Sequence, residues 1–209
     1  ARYKVPVAKG QPEFVYFFHG DRRIASLLLH EGDKVSVQTD TIGRCSIAGS
    51  PDSEALASVE AGISRFASAM EAAQEPSEMV RLYIDHYRAS VRYVLEHQKS
   101  LTVVPVLFEQ LDANTPLFNQ FTDAIICRQT ADSLAAVYPD SPYVKALDRE
   151  ASRRENALKV HNMVQNAPQL GYPDIVLPDV NGEKISLSDI ESDAVLVHFW
   201  DSSDASQKM

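Results

Sequence analysis

The sequence predicts an α+β protein: an antiparallel β-module at the N-terminus, a helical bundle in the centre and a partial α/β segment at the C-terminus. Three observations carry the prediction. Residues 1–50 break into short β-branched and aromatic runs punctuated by turn residues. Residues 51–168 keep a spacing of three and four between apolar side chains. Residues 169–209 return to strand character, with an Asn-Gly turn followed by one long apolar run.

The β-module has four candidate strands. Residues 14–18 are aromatic and β-branched, residues 24–29 are almost wholly apolar, and Lys34-Val-Ser-Val-Gln-Thr39 alternates apolar with polar. His19-Gly20-Asp21 and Glu31-Gly32-Asp33 supply turns, because Gly accepts positive φ and Asp bonds its own backbone. Thr41-Ile42-Gly43-Arg44 makes a third turn before Cys45-Ser46-Ile47, so a meander or half of a sandwich is expected.

Helical spacing begins after Pro51. Asp52-Ser53 offers a start, and Leu56, Val59, Ile63, Phe66 and Met70 share one face. Glu75-Pro76-Ser77 ends that helix and opens the next, whose stripe is Val80, Ile84, Tyr87, Val91 and Val94. A connection this short predicts antiparallel packing of the two. Ser100 can cap a third helix over residues 101–111, where Pro105 fits only within the first turn. Thr115-Pro116 makes an N-cap and first position for a fourth helix, which carries Leu117, Phe121, Ile125, Leu134 and Val137 and stops at Tyr138-Pro139-Asp140-Ser141-Pro142. A fifth spans residues 143–165, with Asp148, Glu150, Arg153, Arg154 and Glu155 as a solvated face of i, i+4 pairs. Beyond Gly171, Pro173-Asp-Ile-Val-Leu177 and Lys184-Ile-Ser-Leu187 flank Asn181-Gly182 as a hairpin. Ala194-Val-Leu-Val-His-Phe-Trp200 then reads as a strand buried on both faces.

Composition excludes several functions. With 44% hydrophobic and 23% charged residues the 209-residue chain has the balance of a globular protein, and its net charge of −9 repels polyanions, so nucleic acid is not an expected partner. No apolar window is long enough to span a bilayer. The chain opens Ala1-Arg2-Tyr3-Lys4-Val5 rather than with a signal segment, which leaves a cytosolic protein or one whose export signal lies outside this chain. Cys45 and Cys127 form neither a Cys-x-x-Cys pair nor metal-ligand spacing; two unpaired thiols or one structural disulfide fit them. His86 and His97 stand eleven residues apart, about three helical turns, without a third ligand. His30-Glu31 precedes Gly-Asp rather than the x-x-His of a zincin and reads as a strand end and turn. Asp201 and Asp204 at a strand-to-helix turn suit local backbone bonding better than acid-base work. Tyr83, Tyr87, Tyr93, Phe108, Phe118 and Phe121 serve either as core or as the wall of a groove between helices.

The stretch from Gly171 through Asn181-Gly182 and Ser186-Leu-Ser-Asp-Ile190, followed by Val195-Leu-Val-His-Phe-Trp200, resembles the entry to a TlpA-like thioredoxin domain of the peroxiredoxin and thiol-disulfide oxidoreductase superfamily. Upstream, the strand-rich residues 21–50 and the helical region with Tyr138-Pro-Asp-Ser-Pro-Tyr-Val-Lys-Ala-Leu147 resemble the β-rich and helical modules that precede such domains in cell-envelope proteins of Gram-negative bacteria. The resemblance implies a longer protein, with the first strands of the β-module and most of a thioredoxin-like domain outside this chain. In the family the Phe-Trp strand leads into a Cys-x-x-Cys motif. Aligning Trp200 on the family tryptophan places Asp204 and Gln207 at the two cysteine positions. Neither side chain can form or resolve a disulfide, and Asp204 is suited to cap a helix N-terminus.

The resemblance therefore implies a redox-inactive, thioredoxin-like binding module with no cofactor and no metal, located in the periplasm or cell envelope, with a protein or peptide partner and a possible homo-oligomeric state. Two alternatives stand beside it. One is an active oxidoreductase that uses cysteines beyond Met209, and the other is a structural scaffold of the envelope.

Overall fold

The computed structural model describes residues 2–39, 45–166, 174–192 and 194–198. The chain separates into two compact units, Ala1–Val164 and Gln165–Met209. Its class is α+β, with five α-helices and three two-stranded antiparallel sheets among the described residues.

In the first unit, β1 (Glu13–His19) and β2 (Arg22–Leu29) form a hairpin around Gly20, whose φ of +60° lies where a Cβ is disfavoured. A second hairpin joins β3 (Ser36–Thr39) to β4 (Cys45–Ala48), with Val37 opposite Ile47. The expected meander is thus two separate hairpins among the described residues. The expected turn at residues 41–44 lies outside those residues.

β2 explains why the hairpin and the helices share one unit. Residues 25–29 are buried without a break, the pattern of a strand covered on both faces. Side chains alternate across a strand. Leu28 accordingly enters the helical core beside Leu56, Val94 and Leu101, while Leu27 and Leu29 turn to the other face.

Helix α1 (Pro51–Ala72) starts earlier than Asp52-Ser53. Ser50 is its N-cap, accepting from the Ser53 amide at 3.5 Å, and Pro51 takes the first position. The Ser53 hydroxyl is committed elsewhere: it donates to the Leu28 carbonyl at 2.9 Å and accepts from the Leu28 amide at 3.1 Å. One side chain thereby seals the outer edge of β2. Three residues connect α1 to α2 (Pro76–Glu96), and the rings of Phe66 and His86 stack between them at 4.0 Å. Helix α3 (Val103–Leu107) is shorter than residues 101–111, and Pro105 falls within its first turn, where a missing amide costs nothing.

The Thr115-Pro116 start is corrected: α4 spans Asp123–Ala135. Two backbone bonds, from the Leu111 amide to the Thr115 carbonyl at 2.8 Å and from the Leu117 amide to the Glu109 carbonyl at 2.9 Å, hold residues 115–117 beside residues 109–111 in a strand-like pairing. That pairing brings Leu117 and Phe118 into the core. Helix α5 (Pro142–Gln165) carries the expected intrahelical pairs of Arg153 and Arg154 with Glu150, yet its face is not wholly solvated. Arg154 also donates to the Phe118 carbonyl at 2.6 Å, and Asp148 pairs with Arg128 of α4 at 2.7 Å. Tyr143 meets β1, edge-on to Phe14 at 4.8 Å and donating to Glu13 at 3.1 Å.

In the second unit, β5 (Val176–Pro178) and β6 (Lys184–Ser186) form the hairpin expected around Asn181-Gly182. The Asp179 carboxylate gathers the amides of Asn181 and Glu183 at 2.8 and 2.9 Å and so closes the turn. The buried strand expected from Ala194 is corrected for residues 194–198, which lie outside any strand, with Leu196 93% exposed. An apolar run becomes a buried strand only where ladders flank it.

Candidate functional site

Trp200, Asp204 and Gln207, together with Gly171 and Asp201, lie outside the described residues. The chemistry available to the described part rests first on its thiols. Cys45 is exposed on β4 and Cys127 is buried in α4, and both are free. Desolvation pushes the Cys45 thiol pKa up, and the Glu60 carboxylate adds to the effect. Burial pushes Cys127 up as well, with Glu150 adding to it against the opposing charges of Arg154, Arg128 and Arg153. A redox or nucleophilic cysteine needs the opposite shift, toward thiolate.

The histidines on α2 do not share a site. His86 Nε2 lies 2.8 Å from Glu109 Oε1, and the Glu109 side chain is only 3% exposed, with Oε2 unpartnered. His97 is the C-cap of α2, stacked on Tyr93 at 4.2 Å and bonded through Nδ1 to the Tyr93 carbonyl. No group of three metal-ligating side chains occurs among the described residues. Of the aromatic set, Phe118 is core and Tyr83, Tyr87 and Tyr93 pack against the core, while Phe108 and Phe121 remain exposed. The Tyr87 hydroxyl donates to Asp123 at 2.5 Å, and the same carboxylate accepts the Gln120 amide.

The most connected polar cluster lies where β2 ends. Tyr93 donates to Thr102 at 2.8 Å, Thr102 and Ser100 are 2.9 Å apart, and Ser100 donates to Asp52 Oδ1 at 3.2 Å. The other oxygen of Asp52 lies 2.6 Å from His30 Nε2, a contact that requires the hydrogen on that nitrogen. The order is serine, aspartate, histidine. A nucleophile triad needs histidine in the middle, where it can take the hydroxyl proton; here the hydroxyl donates directly to a carboxylate and no base reaches it. The cluster instead clasps the end of β2, the first turn of α1 and the loop before α3.

His30 also begins the turn expected from its sequence. Asp33 Oδ2 accepts the His30 amide at 3.1 Å and the Ser50 hydroxyl at 2.8 Å. Behind that turn Gly49, at φ +101°, passes so close to Lys34 that a Cβ would stand 2.3 Å from its carbonyl oxygen, so only glycine fits. His30 and Asp33 lie on the wall of a cavity of about 1060 Å³ between the β1–β2 hairpin, β3 and residues 2–7. Leu27 and Leu29 form its buried floor, and Arg2, Lys4 and Lys34 are exposed along it.

This cavity was not legible as a site in the sequence. The one available signal was the almost wholly apolar run of residues 24–29, interrupted only by Ser26, which implies cover on both faces of β2, although helices account for only one. Fold and site together define an α+β protein with two thiols whose pKa is pushed up and an open cavity in its β-module. No protein-family model matches the chain, and neither a curated protein nor a solved structure matches it.

Proposed function

We propose that the chain is a binding module of thioredoxin-like, cell-envelope ancestry that has lost thiol-disulfide chemistry. The observation that carries the reading is the state of its cysteines: Cys45 and Cys127 stand singly on β4 and α4, and the surroundings of each favour the neutral thiol. Thiol-disulfide exchange proceeds from a thiolate, with a second thiol to resolve the mixed disulfide. The resemblance around Trp200 supports the same reading, since Asp204 and Gln207 occupy the positions where the family carries its redox pair. An acidic chain with a polar cluster that clasps rather than activates is consistent with holding a partner in the periplasm or envelope.

The test is turnover of insulin disulfides with dithiothreitol, for the protein at its full natural length and for the Asp204→Cys/Gln207→Cys variant. Silence in the natural protein is the expected result. Turnover by the natural protein would overturn the proposal and direct attention to cysteines beyond Met209.

A further inference from the structure

We infer that the cavity of the β-module binds an amphiphile with an elongated apolar body and one anionic head, of the long-chain carboxylate class. The inference stands apart from the thioredoxin-like reading, because it uses neither Cys45 nor Cys127 nor any residue of the second unit.

The cavity's volume of about 1060 Å³ lies at the upper end of ligand pockets, which run to roughly 1,000 Å³. Its floor is Leu27 and Leu29, and its walls include Phe17, Val35 and Val37. An apolar body fits against this part of the lining, beside the face of β2 that the chain already covers at Leu27 and Leu29.

The rim supplies the second half of the recognition. Residues 2–7 run along the opening with alternating character: Tyr3 and Val5 are apolar, and Tyr3 touches Phe17 at 5.9 Å between ring centroids, while Arg2 and Lys4 carry charge. Lys34 approaches from the turn before β3. Among the described residues no carboxylate lies within ion-pair distance of Arg2, Lys4 or Lys34. Of the two acids on the lining, Asp33 holds its own loop through Oδ2, which leaves Glu31 as the one opposing charge without such a role. In a chain of net charge −9, three cations converging on an apolar space select for an anionic head group.

Isothermal titration with dodecanoate below its micellar concentration tests the inference, beside dodecanol and dodecyltrimethylammonium. The expected result is one dodecanoate per chain, with both other amphiphiles at least tenfold weaker. The Lys4→Glu/Lys34→Glu variant should weaken dodecanoate about tenfold, the product of two reversed, partly screened rim charges. The equally charged Arg92→Glu/Lys99→Glu variant should bind as the wild type does. Circular dichroism of both variants checks that the fold is kept. Absence of dodecanoate binding, equal affinity for dodecanol, or equal loss in the two charge variants would each overturn the inference.

Discussion

Replacing Ser53 by Ala tests the contact that joins the β-module to the helices. The Ser53 hydroxyl is fully buried and serves both backbone groups of Leu28, at 3.1 Å to the amide and 2.9 Å to the carbonyl. Alanine fits the space but leaves both groups without that partner on the outer edge of β2. A buried backbone group left unsatisfied costs about 1–3 kcal/mol. The Ser50 hydroxyl, 3.4 Å from the same carbonyl, gives its one proton to Asp33 at 2.8 Å and so does not replace the lost donor. Using the lower half of the range for each group gives about 2–4 kcal/mol. For a unit of this size each kcal/mol moves Tm by about 2–4 °C, so a fall of about 4–16 °C is expected. Urea and thermal unfolding followed by circular dichroism measure it, with Ser58→Ala on the exposed face of the same helix as a control that stays within about 0.5 kcal/mol. A Ser53→Ala protein as stable as that control would show that the clasp does not join the two layers.

Two further outcomes follow from buried polar groups. His86→Ala strips the buried Glu109 of its hydrogen-bond partner, and leaving a buried polar group unpaired costs about 1–3 kcal/mol; His86→Leu/Glu109→Leu should recover most of that loss in urea unfolding, and a double variant weaker than the single one would refute the assignment. Desolvation is the leading cause that raises Tyr83, Tyr87, Tyr93, Tyr138 and Tyr143 above the ordinary tyrosine value of 10.0. A raised folded-state pKa gives stability that is complete below pH 10 and lost as pH climbs through the folded values. Alkaline unfolding should therefore begin above pH 10, and the phenolate absorbance of these five tyrosines should rise only above that pH in the folded protein. Ordinary titration of all eight tyrosines without unfolding would contradict the packing.

Local chemistry made some elements legible in the sequence and hid others. Pro76 after Glu75 marks the start of α2 because proline suits only a first turn, and the helix begins there. Asn181-Gly182 marks the β5–β6 hairpin because positive φ is needed, and Gly182 supplies it at +84°. Thr115-Pro116 carries an equally good helix signal, yet a tertiary pairing with residues 109–111 overrides it. Ser53 misleads for a related reason. A serine near a helix start reads as a cap, but its hydroxyl has a partner twenty-five residues upstream. A propensity that spans four residues has no access to such a partner.

The site was harder to read than the fold, because no short motif builds it. The clasp draws His30, Asp52, Ser100, Thr102 and Tyr93 from four separate segments, and each of these residue types is common in ordinary turns and caps. The direction of its hydrogen bonds decides its role. Each hydroxyl passes its proton toward Asp52, whose second oxygen already holds His30, so the cluster ends in a stabilised carboxylate with no group prepared for attack. The cluster thus fixes His30 on one wall of the cavity. The thiols are likewise unprepared for attack: each sits where the neutral form is favoured.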